Sequence, residues 1–467
     1  CIIAKCHGYV GVSHEILQEI FEISKKQGIR SVDKICHRME LGKDTYTLGK
    51  IRPEMEEELC RVLADFVRIM EGYRVDDYRA TASSAISEAS NSLYVLGKIH
   101  QLTGLSVTVL SNSEQRFLSY KALAAMEDNF NKIIEKGTAI LDLDGGSFQI
   151  SLFDKDALVT TQNIRMGSLR IRERLAGIQS ETEHYEEMVE ELIWNEVSSF
   201  KKMYLKDRKI ENIMLIGDVF TDSVYQNIEE KTTKIISREN FNTWYEKIIR
   251  QSPMELAVKL GIPLENASLM YPSAVIYKCL IDMMGAEHIW IPGVHMTRGI
   301  AYEYAEQMKL LKGGHNFEND ILMAAKNIGK RYAVNRPHVQ NLEMTALAMF
   351  DATKKMHGMK ERERLLLQMA VMLHDVGKYI SFNNVADSSY NIIMSNEIIG
   401  LSHIEREMVA LIARYNTVTL PSYDELVMES SLSAEQYLTV SELTAIVRLA
   451  TVSYTHLRAH ETRHDLV

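Results

Sequence analysis

Cysteine is scarce in this chain and scattered. Its 467 residues hold five, Cys1, Cys6, Cys36, Cys60 and Cys279. An odd, dispersed set excludes a disulfide framework and fits free thiols in a reducing cytoplasm. Cys1 and Cys6 alone are too few for a structural zinc site. No apolar run reaches the ~18 residues that a membrane-spanning helix needs, so no membrane partner is expected. No basic region followed by an apolar core opens the chain, which argues against a signal peptide. Positive charge is also in deficit: the formal net charge is −10, which argues against bulk nucleic-acid binding. A polyanionic substrate is still compatible, because a local basic channel can sit on an acidic surface. Arg165, Arg170, Arg172 and Arg174 are local candidates for one, whereas Lys201, Lys202, Lys206, Arg208 and Lys209 read as a solvated helix face.

What is present is an ordinary globular composition, 46% hydrophobic and 25% charged, with length for two to four domains. Residues from about 20 to 50 read as mixed strand and turn. Met55, Leu59, Val62, Leu63, Phe66, Ile69 and Met70 recur at helical spacing and predict a helix over Arg52–Tyr73, with Pro53 in its first turn. A strand over 78–82, a helix over 84–103, a strand over 105–110 and a helix from Ser113 to about Met126 follow, an α/β alternation. A second α/β unit runs from the hairpin at 138–153, through a helix at 180–206, a strand at 212–216 ending in Gly217-Asp218, helices within 235–260, a helix from Pro272 to Met284 and a strand at 288–291, to a helix beginning near Thr297. Two such units predict a bilobed protein with a cleft. Beyond the linker candidate Lys312-Gly313-Gly314-His315-Asn316 the pattern turns helical: 317–332, 338–357, 361–374, 402–415 and 433–450. The fold class is α/β followed by an all-α domain, with units at 1–125, 126–311 and 312–450.

The run Leu141-Asp142-Leu143-Asp144-Gly145-Gly146-Ser147 carries the most chemistry. Glycines let a backbone approach a ligand closely. Successive turn N–H groups can converge on an anion, and a carboxylate at a strand end can hold a divalent metal. An ordinary Asp-Gly hairpin turn is the alternative. Glu114, where a strand meets a helix, is placed either to activate water as a general base or simply to complement the helix dipole.

These segments, in order, resemble the exopolyphosphatase and guanosine pentaphosphate phosphohydrolase family of the actin-like ATPase superfamily, over roughly residues 13 to 305. Ser83-Ser84-Ala85-Ile86-Ser87-Glu88-Ala89, Leu110-Ser111-Asn112-Ser113-Glu114-Gln115, the 141–147 run and Arg165-Met166-Gly167-Ser168 carry the likeness. The resemblance implies two actin-like (ribonuclease H-like) lobes, cytoplasmic location, a homodimer and removal of terminal phosphate from polyphosphate or guanosine pentaphosphate. Magnesium, or another divalent metal, would lie in the cleft between the lobes. By the same resemblance Glu114 is the catalytic base, Asp142 the metal ligand, and Asp144, Gly145, Gly146 and Ser147 the second phosphate loop. Ser13 marks the first loop, whose usual acid is missing. Ser87 stands where the family carries an arginine, and Asp144 stands in the first place of a glycine triple. Each departure weakens a polyanion site, so a protein that binds these ligands without turnover is the alternative.

In the helical part, Leu373-His374-Asp375-Val376-Gly377-Lys378 after a long helix, with His338 upstream, resembles the HD-domain family of metal-dependent phosphohydrolases over about 317 to 450. The resemblance implies His338, His374 and Asp375 as metal ligands, although Thr451 stands where a late Asp is expected; a hydrogen-bonded remnant without metal is the alternative. Residues 451–467 read as a non-native tail: Ser453 to Val467 lacks the apolar repeat needed to continue a helix and resembles translated adapter sequence, so His456, His460 and His464 are given no metal role.

Overall fold

The computed structural model describes residues 7–12, 15–126, 130–175, 185–227, 235–311 and 315–464. Two compact units divide the chain between His315 and Asn316. No helix among the described residues is long and apolar enough to cross a membrane.

The first unit holds two sheets of matching topology. Strands β1 (His7–Val12), β2 (Glu15–Ser24), β3 (Gly28–Arg38), β4 (Arg79–Ala82) and β5 (Val107–Val109) form one, in the order β3-β2-β1-β4-β5. Strands β6 (Thr138–Leu143), β7 (Phe148–Asp154), β8 (Ala157–Ile164), β9 (Asn212–Ile216), β10 (Ile235–Ser237) and β11 (His288–Trp290) form the other, in the order β10-β11-β9-β6-β7-β8. In each, three consecutive antiparallel strands lead, through β1 or β6, into parallel neighbours reached by helical crossovers. The parallel part must be covered on both faces. Strand β6 is accordingly buried at every position.

The periodic elements fall close to their sequence ranges. The helix Pro53–Tyr73 buries Leu59, Val62, Leu63 and Phe66 against Ile16 and Ile20. Elsewhere tertiary contacts override local pattern. Residues read as strand and turn contain the helix Leu41–Leu48, where Leu41 is fully buried and Asp44 holds the Arg52 amide and guanidinium. The segment read as one helix over 84–103 breaks into Ser84–Ser87 and Ser92–Thr103. Between them, Asn91 turns its side chain to the backbone N–H and C=O of Ile51, the competition that disfavours Asn inside helices. Pro272 lies inside the helix Leu264–Met284 rather than at its start. An interior proline costs ~3 kcal/mol, offset by a run from Ser273 to Tyr277 that is wholly buried.

The second unit is all helical, from Phe317–Arg331 to Ala434–His464. The helix Val385–Ser395 was not foreseen. The last helix runs on through the segment expected to break it; Leu, Arg, Ala and Glu there are adequate helix formers without an apolar face. The side chains of His456, His460 and His464 lie outside the described residues.

The helix Met296–Gln307 packs on Asn112–Met126 so closely that a Cβ on Gly299 would overlap the Leu118 carbonyl, whereas Gly97 faces open space. We therefore expect G299A to destabilise the first unit by ~3 kcal/mol and G97A to be neutral or slightly stabilising. All three tryptophans (Trp194, Trp244 and Trp290) lie in that unit, so urea unfolding followed by their fluorescence reads both changes.

Candidate active site

Strand β6 ends at Asp142 and Leu143, and residues 144–147 turn the chain into β7. Asp144 organises this turn. Its Oδ1 accepts hydrogen bonds from the amides of Gly146 (2.6 Å) and Ser147 (3.0 Å), while its own amide donates to the Ser147 carbonyl (3.0 Å). A carboxylate bonded to amides two and three residues on is the Asx arrangement, and converging amides are the anion-holding geometry. Met166-Gly167-Ser168 closes over the turn: the Ser168 amide donates to the Asp144 carbonyl (3.2 Å), and a Cβ on Gly167 would overlap residues 144 and 145. Arg170 pins the outer side through Nε to the Gly146 carbonyl (2.9 Å) and its amide to the Gly145 carbonyl (2.9 Å). Its guanidinium lies 4.4 Å from the Tyr46 ring centre and pairs with Glu88 at 3.0 Å.

Arg116 reaches this turn from the helix Asn112–Met126. One guanidinium nitrogen bonds Asp142 Oδ1, and the other lies 2.8 Å from Asp144 Oδ2 and 3.2 Å from Ser147 Oγ. The side chain is 6% exposed. Burial pushes the Asp142 carboxyl above the usual carboxylate range and the Arg116 charge opposes it. Asp142 Oδ2 is buried with no hydrogen-bond partner among the described residues. Arg116, Asp142 and Asp144 line a cleft of about 330 Å³ that also takes in Arg38, Asp218, Asp222, His295 and Thr297, while Gly145, Gly146 and Ser147 are buried behind Asp144 and outside its lining.

The expected residues are placed unevenly. Asp142, Asp144 and Ser147 come together, with Gly145 and Gly146 between them. Glu114 does not line the cleft. Its Oε2 accepts from the Ser111 amide (2.8 Å) and hydroxyl (2.7 Å), and its amide donates back to Ser111 Oγ (3.3 Å), a complete capping box. Residues two apart on a helix do not share a face, so the helix that presents Arg116 turns Glu114 aside. Ser87 is exposed at the end of Ser84–Ser87, and Ser13 lies outside the described residues. Arg116 itself was not foreseen, since one arginine beside a Glu-Gln pair makes no pattern.

In the helical unit His338, His374 and Asp375 bring ligand atoms within 4.8 Å of one another. His374 Nδ1 lies 2.8 Å from the Val371 carbonyl, so this nitrogen carries the proton and Nε2 is left bare, 3.4 Å from Asp375 Oδ1. Burial lowers the His374 pKa, with Asp375 opposing, which keeps the ring neutral as a metal ligand requires. Lys378 holds the other Asp375 oxygen at 2.6 Å.

Comparison with known proteins gives the family. The family model for the Ppx/GppA phosphatase family matches residues 20–308 and that for Ppx/GppA phosphatase domain III matches residues 322–466. The chain belongs to the Ppx/GppA phosphatase family. It is 20% identical over 283 residues to a bifunctional 3-dehydroquinate synthase/phosphatase of Fusobacterium nucleatum, covering 56% of this chain but only 40% of that protein. A guanosine-5'-triphosphate,3'-diphosphate pyrophosphatase of Vibrio atlanticus is 18% identical over 425 residues, 90% of this chain and 82% of that one. A crystal structure of an exopolyphosphatase from Cytophaga hutchinsonii superposes with a TM-score of 0.57 at 16% identity, covering 66% of this chain and 99% of that chain. The Aquifex aeolicus Ppx/GppA family member superposes at 0.54 with 16% identity, covering 65% and 97%. At these identities the structural likeness establishes the fold. The helical unit is thereby domain III of the family.

Across the cleft of this Ppx/GppA fold, Asp218 follows β9. Burial drives its carboxyl up to about 7, opposed by hydrogen bonds that include those from the Thr221 amide (3.1 Å) and the Tyr277 hydroxyl (3.3 Å). An acid whose folded pKa is raised favours folding below its unfolded pKa, near 3.9, and loses that contribution as pH climbs to about 7. Stability of the first unit should therefore fall between pH 4 and 7 through this group. D218N should flatten the fall and exceed the parent by ~2–4 kcal/mol at pH 8 in tryptophan-monitored unfolding.

Proposed function

We propose that this chain hydrolyses a terminal phosphoric anhydride of inorganic polyphosphate or guanosine pentaphosphate in the cleft of its first unit. The observation that carries the reading is the 144–147 turn, whose Gly146 and Ser147 amides already converge on an anion, the Asp144 carboxylate, with a guanidinium on its other side. Family membership supplies the reaction class. In this reading the turn amides, once the Asp144 carboxylate gives them up, and the Ser147 hydroxyl take phosphoryl oxygens, which binds the terminal group and stabilises charge as it moves to the equatorial oxygens. The resemblance assigns Glu114 to orient and deprotonate the attacking water, a role it reaches only by releasing its carboxylate from the Ser111 cap and swinging toward the cleft. Ser87 and Ser13 are assigned lesser phosphate contacts by the same resemblance.

A divalent metal fits the residues present. The buried, unpartnered Oδ2 of Asp142 is a hard oxygen donor of the kind magnesium takes, completed by water and substrate oxygens. When bound it would neutralise phosphoryl charge.

A second reading places phosphohydrolase chemistry in the helical unit, read as HD-type. The bare Nε2 of His374 beside His338 and Asp375 favours it, and the hold of Lys378 on Asp375 opposes it.

Phosphate release from tripolyphosphate and from guanosine pentaphosphate separates the possibilities. E114Q should lower the rate at least 100-fold while tryptophan-monitored unfolding shifts by no more than ~1 kcal/mol, the scale of a helix cap. Full activity in E114Q removes the base assignment. Loss of activity in H374A with retention in E114Q transfers the chemistry to the helical unit. Calorimetric binding without release in the parent makes the protein a sensor of these ligands.

A further inference from the structure

We propose that Arg116 and Asp144 form an internal stand-in for a metal–phosphate pair, so that the cleft takes its cation and its phosphoryl anion together and resists either one alone. The inference rests on the phosphate-site reading above.

The two side chains occupy the places that the two ligands need. Asp144 collects three donors, the amides of Gly146 and Ser147 on Oδ1 and Arg116 on Oδ2. That is a donor set for a phosphoryl group, and it is filled by a residue standing where the resemblance expects a glycine. Arg116 collects the acceptors a cation would use: Asp142 Oδ1, Asp144 Oδ2 and Ser147 Oγ. The cluster carries two carboxylates and one guanidinium, and the same cleft is lined by Asp218 and Asp222 on the acidic side and Arg38 and His295 on the basic side.

Each ligand by itself meets a penalty. A divalent cation arriving alone can reach Asp142 Oδ2, but to take the carboxylate oxygens that Arg116 holds it must compete with that guanidinium and strip two ion-pair partners from a buried charge. An anion arriving alone must expel Asp144 from the turn amides and then lie beside the displaced carboxylate. Arriving together they exchange charge for charge. With Asp142 given over to a metal, Arg116 would turn to the phosphoryl oxygens as a planar bidentate donor, and the amides would pass from Asp144 to the anion. Only side chains need move, because the turn's backbone is held from behind by Arg170 and Ser168. A shared internal competitor of this kind is a coupling free energy between two ligands.

The test measures binding, not turnover, in an H374A background so that the helical cluster adds no metal site. Manganese binding is read by electron paramagnetic resonance, and methylenediphosphonate binding by calorimetry, first without metal and then with it. In that background each ligand should tighten the other at least tenfold, after allowance for their complex in free solution. R116M should bind manganese alone at least tenfold more tightly, and D144G should bind metal-free methylenediphosphonate at least tenfold more tightly. Circular dichroism confirms that both variants fold, and the coupling in the unsubstituted cleft needs neither. Binding of both ligands with no mutual enhancement overturns the stand-in while leaving the phosphate site in place. Failure to bind the two ligands even together overturns the site reading and the stand-in with it. Manganese affinity unchanged by R116M, or diphosphonate affinity unchanged by D144G, also counts against the exchange.

Discussion

The cleft depends on one guanidinium lying between two carboxylates. Asp142 ends a strand buried at every position, and Asp144 begins the turn beside it, so the chain brings two negative charges into low-dielectric surroundings at neighbouring sites. Unpaired, they would each carry a large desolvation cost. Arg116 satisfies both at once with its rigid fork. Because it comes from the helix that also packs on Met296–Gln307, the same contact ties the second sheet's turn to the helix that precedes it in sequence. The pairing of the two carboxylates follows from that placement, and Glu114, two residues earlier on the same helix, is turned to its Ser111 cap instead.

The helical unit repeats the theme on a smaller scale. Its candidate metal ligands are assembled, yet Lys378 holds one Asp375 oxygen as Arg116 holds Asp142. In both units the carboxylate best placed to meet a metal is neutralised by a cation from the chain itself. Neutral His374, oriented by the Val371 carbonyl, has no such competitor.

Elements with strong apolar period were legible in the sequence. The helix read over 52–73 and the hairpin read over 138–153 fall within a residue of Pro53–Tyr73 and of the pair β6–β7. The helix Leu41–Leu48 was not legible, because its glycine and threonines give no helical signal and its reason for existing is the burial of Leu41 and the grip of Asp44 on Arg52. The break at Asn91 was hidden in the same way, its partner Ile51 lying 40 residues away. At the site, the 141–147 run announced itself through its glycines and acids. Arg116 could not: its partners stand 26 and 28 residues on, and a single charged residue on a helix carries no spacing to read.

A double-mutant cycle on Arg116 and Asp144 is the most direct measurement of the central claim. R116M, D144N and the combined variant would be compared with the parent by urea unfolding, with tryptophan fluorescence confining the readout to the first unit. If the buried pair organises the cleft, the coupling energy should reach ~2 kcal/mol or more. Additive effects, with coupling below ~0.5 kcal/mol, would contradict the account.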